Sequence, residues 1–166
     1  MQARLSDGIG GKVLKVSGPI DSDAQFPSLD LGSGESLTIN FEEVDLITSI
    51  GIQTWMKFIK TIPEDCPVTI MFCPPCIVWQ INSLTSFIPP QAKIQSLMVP
   101  FYCETCGKNI LEKFVLGWDI TVDNSTVVYK KDLEAFCSGG SCDIEVDANP
   151  DRYFAFFKKN PQIAAM

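Results

Sequence analysis

Seven cysteines stand in this 166-residue chain, and four of them are spaced as two pairs. Cys103-Glu104-Thr105-Cys106 is separated by thirty residues from Cys137-Ser138-Gly139-Gly140-Ser141-Cys142. A two-residue spacer in a tight turn lets both thiolates converge on a zinc ion about 2.3 Å away while neighbouring amides donate to sulfur. Gly107 directly follows the first pair and suits such a knuckle. Gly139 and Gly140 give the wider spacer the backbone freedom to fold back. With Cys103, Cys106, Cys137 and Cys142 as four thiolate ligands and no water position, the set predicts one closed, structural zinc per chain. A rubredoxin-like iron site is the rival ion. Buried thiols that pack as small hydrophobes are the reading without any ion.

A second pair, Cys73-Pro74-Pro75-Cys76, lies between an apolar run and a helical pattern. A thiol at a helix N-terminus is acidified by the exposed amides, which is how thiol-disulfide oxidoreductases obtain a reactive thiolate. The plainer reading is two prolines that end a strand and open a helix, with a buried cysteine on either side. The chain has no histidine, so Ser-His and Cys-His hydrolases are excluded and imidazole is unavailable as base or ligand.

The formal net charge of −7 lacks the basic footprint that attracts phosphate backbones, so nucleic acid is not an expected partner. No stretch approaches the roughly 20 apolar residues a bilayer span requires, and the first residues carry no apolar leader. Clustered thiols without a leader point to a reducing compartment, and the expectation is a soluble cytoplasmic protein with no membrane partner. A hydrophobic content of 46% is that of a chain that buries a core.

The elements that must position these groups alternate over the first hundred residues. Lys12–Ser17 and Ser36–Phe41 read as strands, with a short helix expected at Gln25–Leu29. Val68–Phe72 reads as a strand buried on both faces. Thr48 or Ser49 can cap a helix over about 50–61, with Ile52, Trp55, Met56 and Ile59 as its core stripe. Ile50, Phe58 and Ile62 are surplus to that stripe and either pack on neighbouring elements or form a partner-binding face. A second helix is expected over Cys76–Phe87 and a further strand over Ile94–Tyr102. Beyond this the pattern changes to short strands at 113–116, 120–122, 126–129 and 144–146, with no long amphipathic helix. The predicted fold class is α/β: a mixed sheet covered by helices over residues 1–101, a small β-rich zinc-ribbon-like domain over 102–157, and a loose tail over 158–166.

The stretch Leu37-Thr38-Ile39-Asn40-Phe41-Glu42-Glu43-Val44-Asp45-Leu46-Ile47-Thr48-Ser49-Ile50-Gly51-Ile52 resembles the signature of STAS domains, the anti-sigma factor antagonist family. In that family a buried strand leads through Asp-Ser-Ser/Thr-Gly-Leu into a helix. The resemblance covers roughly residues 10 to 101. It implies a bacterial regulatory module that binds an anti-sigma factor or another signalling protein and has no catalysis of its own. Gly51 is its best-kept element, Thr48 and Ser49 stand at the family's Asp and first Ser, and Ile50 occupies the place of the phosphorylated Ser or Thr. The implied partner-binding residues are Thr48, Ser49, Ile50, Gly51 and Phe58, on a surface insensitive to the usual kinase. Two other readings follow from the residues themselves: a thiol oxidoreductase using Cys73 and Cys76, and a structural subunit whose ribbon mediates assembly.

Overall fold

The computed structural model describes residues 1–32, 34–123, 126–131 and 142–159. β1 (Gln2–Gly8) and β2 (Gly11–Ser17) form an antiparallel hairpin in which Ala3 pairs with Val16 and Leu5 with Leu14. Its tip, Ile9-Gly10, places Gly10 at φ 78°, where glycine meets no Cβ clash. β1 was not anticipated because only Ala3 and Leu5 interrupt its polar run. β3 (Ser36–Glu43), β4 (Val68–Met71) and the two-residue β5 (Lys93–Ile94) add in parallel, giving the mixed order β1-β2-β3-β4-β5. Leu37, Ile39 and Phe41 are fully buried, and Phe41 meets Trp55 edge-on with ring centroids 5.2 Å apart. On the opposite face Thr69 and Met71 are only half-buried, so β4 is covered on one side and not on both.

The first helix, α1 (Ser49–Ile59), begins at the Thr48 cap, whose Oγ1 accepts from the Gly51 amide at 3.1 Å. Its buried residues are Gly51, Trp55, Phe58 and Ile59, with Ile52 and Met56 half-buried. The stripe is therefore rotated towards Phe58. The cause is the segment before β3, where Phe26 stacks on Phe58 at 4.6 Å and meets Trp55 edge-on at 5.4 Å. That segment forms no helix at Gln25–Leu29, because Pro27 disfavours helical backbone at Phe26.

α2 (Pro75–Ser83) opens on Pro75, whose missing N–H costs nothing in the first turn. It stops four residues before the expected Phe87. Ser83 turns its hydroxyl back onto the Trp79 carbonyl at 2.7 Å, and Leu84 is extended. Released from the helix, Phe87 is fully buried, and its carbonyl accepts the Trp55 indole N–H at 2.7 Å. The strand expected over 94–102 divides at Gln95, whose amide donates to Ile70 O at 2.8 Å. β5 stays in the first sheet. β6 (Ser96–Cys103) becomes the centre of a second, antiparallel sheet of order β10-β6-β7, with β7 (Lys108–Val115) and β10 (Ile144–Val146).

β8 (Ile120–Asp123) and β9 (Thr126–Tyr129) make a hairpin. Two short helices follow, α3 (Pro150–Tyr153) and α4 (Ala155–Lys159), so Lys158 and Lys159 are helical and not tail; the remainder of the expected tail lies outside the described residues. One hydrophobic core joins Leu14, Ile39 and Trp55 to Phe101, Phe114, Tyr153, Phe154 and Phe156. The expected boundary after residue 101 falls inside β6. No described helix is long and apolar enough to cross a membrane.

Candidate metal centre

Cys103 ends β6 with its side chain fully buried. In the antiparallel register it stands opposite Lys108 on one side and Ile144 on the other, so both neighbouring strands converge on it. The chain turns back over residues 104–107. Gly107, at φ 64°, donates its amide to the Cys103 carbonyl at 2.8 Å, closing the knuckle around Cys106. Cys142 arrives just before β10. Its position is set by the Glu104 amide donating to Asp143 O and the Asp143 amide donating to Thr105 Oγ1, both at 3.0 Å.

The Sγ atoms of Cys103, Cys106 and Cys142 all lie within 4.8 Å of one another, and the Cys106–Cys142 separation is 3.6 Å. Four thiolates about 2.3 Å from a tetrahedral zinc stand about 3.8 Å apart, so the Cys106–Cys142 pair is at the spacing a zinc ion imposes and Cys103 lies within 4.8 Å of both. Ile110 and Ile144 pack around the buried pair Cys103 and Cys142, which limits water access to the sulfurs. These three cysteines could hold a metal ion. Cys137, the expected fourth ligand, lies outside the described residues.

No protein-family model matches the sequence, and no curated protein matches it. The chemistry of the centre rests on its donors and their geometry.

The other cysteine pair is built differently. Cys73 is fully buried, with its amide donating to Ser96 O at 3.2 Å and its carbonyl accepting from the Met98 amide at 2.8 Å. Burial, reinforced by the neighbouring Cys76, pushes the Cys73 thiol far above the ordinary range. Cys76 is pushed up to about 11, again chiefly by burial; the Ile77 amide at the start of α2 pulls the other way without offsetting it. Both thiols are protonated near neutral pH. The exposed, acidified thiol that the oxidoreductase reading requires is not present at this turn.

Of the five residues expected at the partner-binding face, Thr48 is half-buried as the α1 cap, and Ser49 and Ile50 are exposed. Gly51 and Phe58 are buried, Phe58 keeping only an edge on the open groove it lines with Phe26, Thr54 and Thr61. A Cβ on Gly51 would lie 1.9 Å from the Ile20 carbonyl oxygen, and Phe58 is clasped by Phe26. Leu46 joins the exposed set at 51%. It escaped sequence reading because nothing in Val44-Asp45-Leu46-Ile47 tells its three apolar residues apart, whereas Val44 and Ile47 turn inwards and Leu46 turns outwards beside the exposed Asp45.

Proposed function

We propose that the chain is a non-enzymatic regulatory module of the STAS type, which binds a signalling protein through the loop and first turn of α1. A zinc ion held by Cys103, Cys106 and Cys142, with Cys137 as fourth ligand, closes its β-rich end. The observation that carries the binding reading is the pair Leu46 and Ile50. They are 51% and 56% exposed within five residues, on either side of the Thr48 cap. Single exposed aliphatics are ordinary, but these two stand on backbone that is held rigidly. The Ile20 amide donates to Leu46 O at 2.8 Å, and the Thr48 amide donates to Ile20 O at 2.9 Å. A surface fixed in this way loses little entropy on binding.

Gly51 supports the same reading, since its missing side chain lets α1 start hard against Ile20, where the resemblance places the family's glycine. Glu43, Asp45 and Ser49 around the pair are exposed, so a partner with apolar anchors and a basic rim fits the surface. With Ile50 at the usual phosphoacceptor position, binding is not switched by modification there. The test is the double change Leu46→Asp and Ile50→Asp against Lys57→Glu, which alters an exposed position further along α1. The double change is expected to weaken binding to a partner isolated with the wild-type chain by about 100-fold, and Lys57→Glu to leave it within about threefold. Equal affinity for both variants would refute the surface.

A further inference from the structure

Residues 142–159 form one continuous segment attached at its two ends by different chemistry. At the start, Cys142 shares the thiol cluster with Cys103 and Cys106, and β10 pairs with β6 over three residues only. At the far end, Tyr153, Phe154 and Phe156 are at most 2% exposed. The Tyr153 ring meets Trp79 of α2 edge-on at 5.7 Å, and its hydroxyl donates to Met98 O at 2.5 Å. The Met98 amide in turn holds the Cys73 carbonyl. Asn82 Nδ2 donates to Tyr153 O at 2.8 Å, and Lys159 Nζ donates to Asn82 O at 2.6 Å. The segment thus lies against α2 beside the Cys73–Cys76 turn.

Nothing within the segment itself makes it stable. Helices of four and five residues do not persist alone, and a three-residue strand pairing is too short to hold by its ladder. The seam with α2 also leaves the buried Asn82 Oδ1 without a hydrogen-bond partner among the described residues, a cost a fully welded core would not carry. The placement of residues 142–159 therefore rests on its two attachments, the buried Tyr153, Phe154 and Phe156 rings at one end and what anchors Cys142 at the other.

Resting on the metal reading of the cysteine cluster, we infer that the ion bound by Cys103, Cys106 and Cys142 is a latch. Bound metal docks residues 142–159 onto α2 and covers Cys73 and Cys76. Loss of metal frees the segment and uncovers both thiols together with the apolar face of α2. Because only the docked arrangement brings Cys142 to the other two ligands, metal affinity and docking are the same equilibrium seen from two sides. The chain then presents one constant surface at α1 and one metal-dependent surface at α2.

The test uses the full reduced chain, with one equivalent of zinc or stripped by a chelator, followed by a short alkylation pulse mapped by peptide mass spectrometry. Cys66, buried just before β4 and away from the segment in sequence, reports on global unfolding. In the zinc form Cys66, Cys73 and Cys76 are expected to label slowly. In the stripped form Cys73 and Cys76 are expected to label about tenfold faster or more, with Cys66 unchanged. Zinc lost without acceleration at Cys73 and Cys76 overturns the latch and leaves the metal site standing. Equal acceleration at Cys66 overturns it too, because the metal would then hold the whole fold. A folded chain that binds no zinc overturns both. Tyr153→Ala provides the second arm: loosening the dock should weaken zinc binding about tenfold and speed labelling at Cys73 and Cys76 even with zinc present, with Cys66 unchanged, and unchanged zinc affinity or slow labelling at the two thiols overturns the latch.

Discussion

Replacing Gly51 by alanine separates two effects of opposite sign. On an open helix face the change stabilises, because alanine is the better helix former by about 1 kcal/mol. Here the new Cβ would lie 1.9 Å from Ile20 O, 2.5 Å from Ile20 C and 3.1 Å from Asp21 N, all backbone atoms with no rotamer to yield. Relief requires α1 and the 20–21 backbone to separate by about 1.5 Å, an overpacking that costs about 1–3 kcal/mol. The same Ile20 carbonyl accepts the Thr48 amide at 2.9 Å, so the separation also weakens the bond that seats the helix cap, by about 1 kcal/mol. The net expectation for Gly51→Ala is a loss of about 1–3 kcal/mol, or a Tm lower by about 3–10 °C for a chain of this length. Urea and thermal unfolding followed by far-UV circular dichroism measure both quantities. A Tm equal to or above that of the wild type would refute the close approach of α1 to Ile20 and the reading of Gly51 built on it.

Two further outcomes follow from buried groups. Trp55→Phe removes the indole donor to Phe87 O, held at 2.7 Å in the core, and leaves that carbonyl and a cavity behind; a loss of about 2–4 kcal/mol in urea unfolding is expected, and a loss under about 1 kcal/mol would count against the bond. Stability should also fall in alkali. Folded Cys76 keeps its proton to about 11 and folded Cys73 further still, against an ordinary thiol value of 9.0. Between these values the unfolded chain has released protons that the folded chain retains, so the unfolding free energy drops as pH rises and is flat with respect to these groups below the lower one. Tyr129, pushed up to about 12 by burial, and Tyr153 act in the same direction at higher pH. Zinc-held thiolates act in the opposite direction until the unfolded thiols have themselves ionised, so the urea midpoint of the zinc-bound chain is expected to fall between about pH 9.5 and about pH 10.5, and a rising midpoint over that window would refute the burial of these thiols.

Much of the sheet was legible because burial on one face imposes a period. Lys12–Ser17 alternates, and Ser36–Phe41 carries its buried residues at every second position, as Leu37, Ile39 and Phe41 confirm. The start of α1 was legible from Thr48, a residue whose short side chain satisfies an amide within its own turn. The convergence of Cys103 and Cys106 was legible from a two-residue spacer and a following glycine. Other features had no local signature. The choice between core and surface at Phe58 was made by Phe26, more than thirty residues earlier, and the early stop of α2 left Phe87 free to serve Trp55. At Gln95 the chain passes from one sheet to another without a glycine or proline to mark the change.

By itself the sequence determined the strand and helix periods, the cap of α1, the turn that brings Cys103 and Cys106 together and the absence of any imidazole. Each of these follows from chemistry within a few residues, where chain connectivity alone limits the distances. The spacing also proposed that Cys142 joins that pair, as the three clustered sulfurs bear out; only the tertiary structure decided that Gly51 is pressed on Ile20, that Leu46 and Ile50 face outwards, and that Tyr153 and Phe156 enter the same core as Trp55. Those outcomes depend on which distant segments compete for the same buried volume, and a close-packed core settles that competition as a whole.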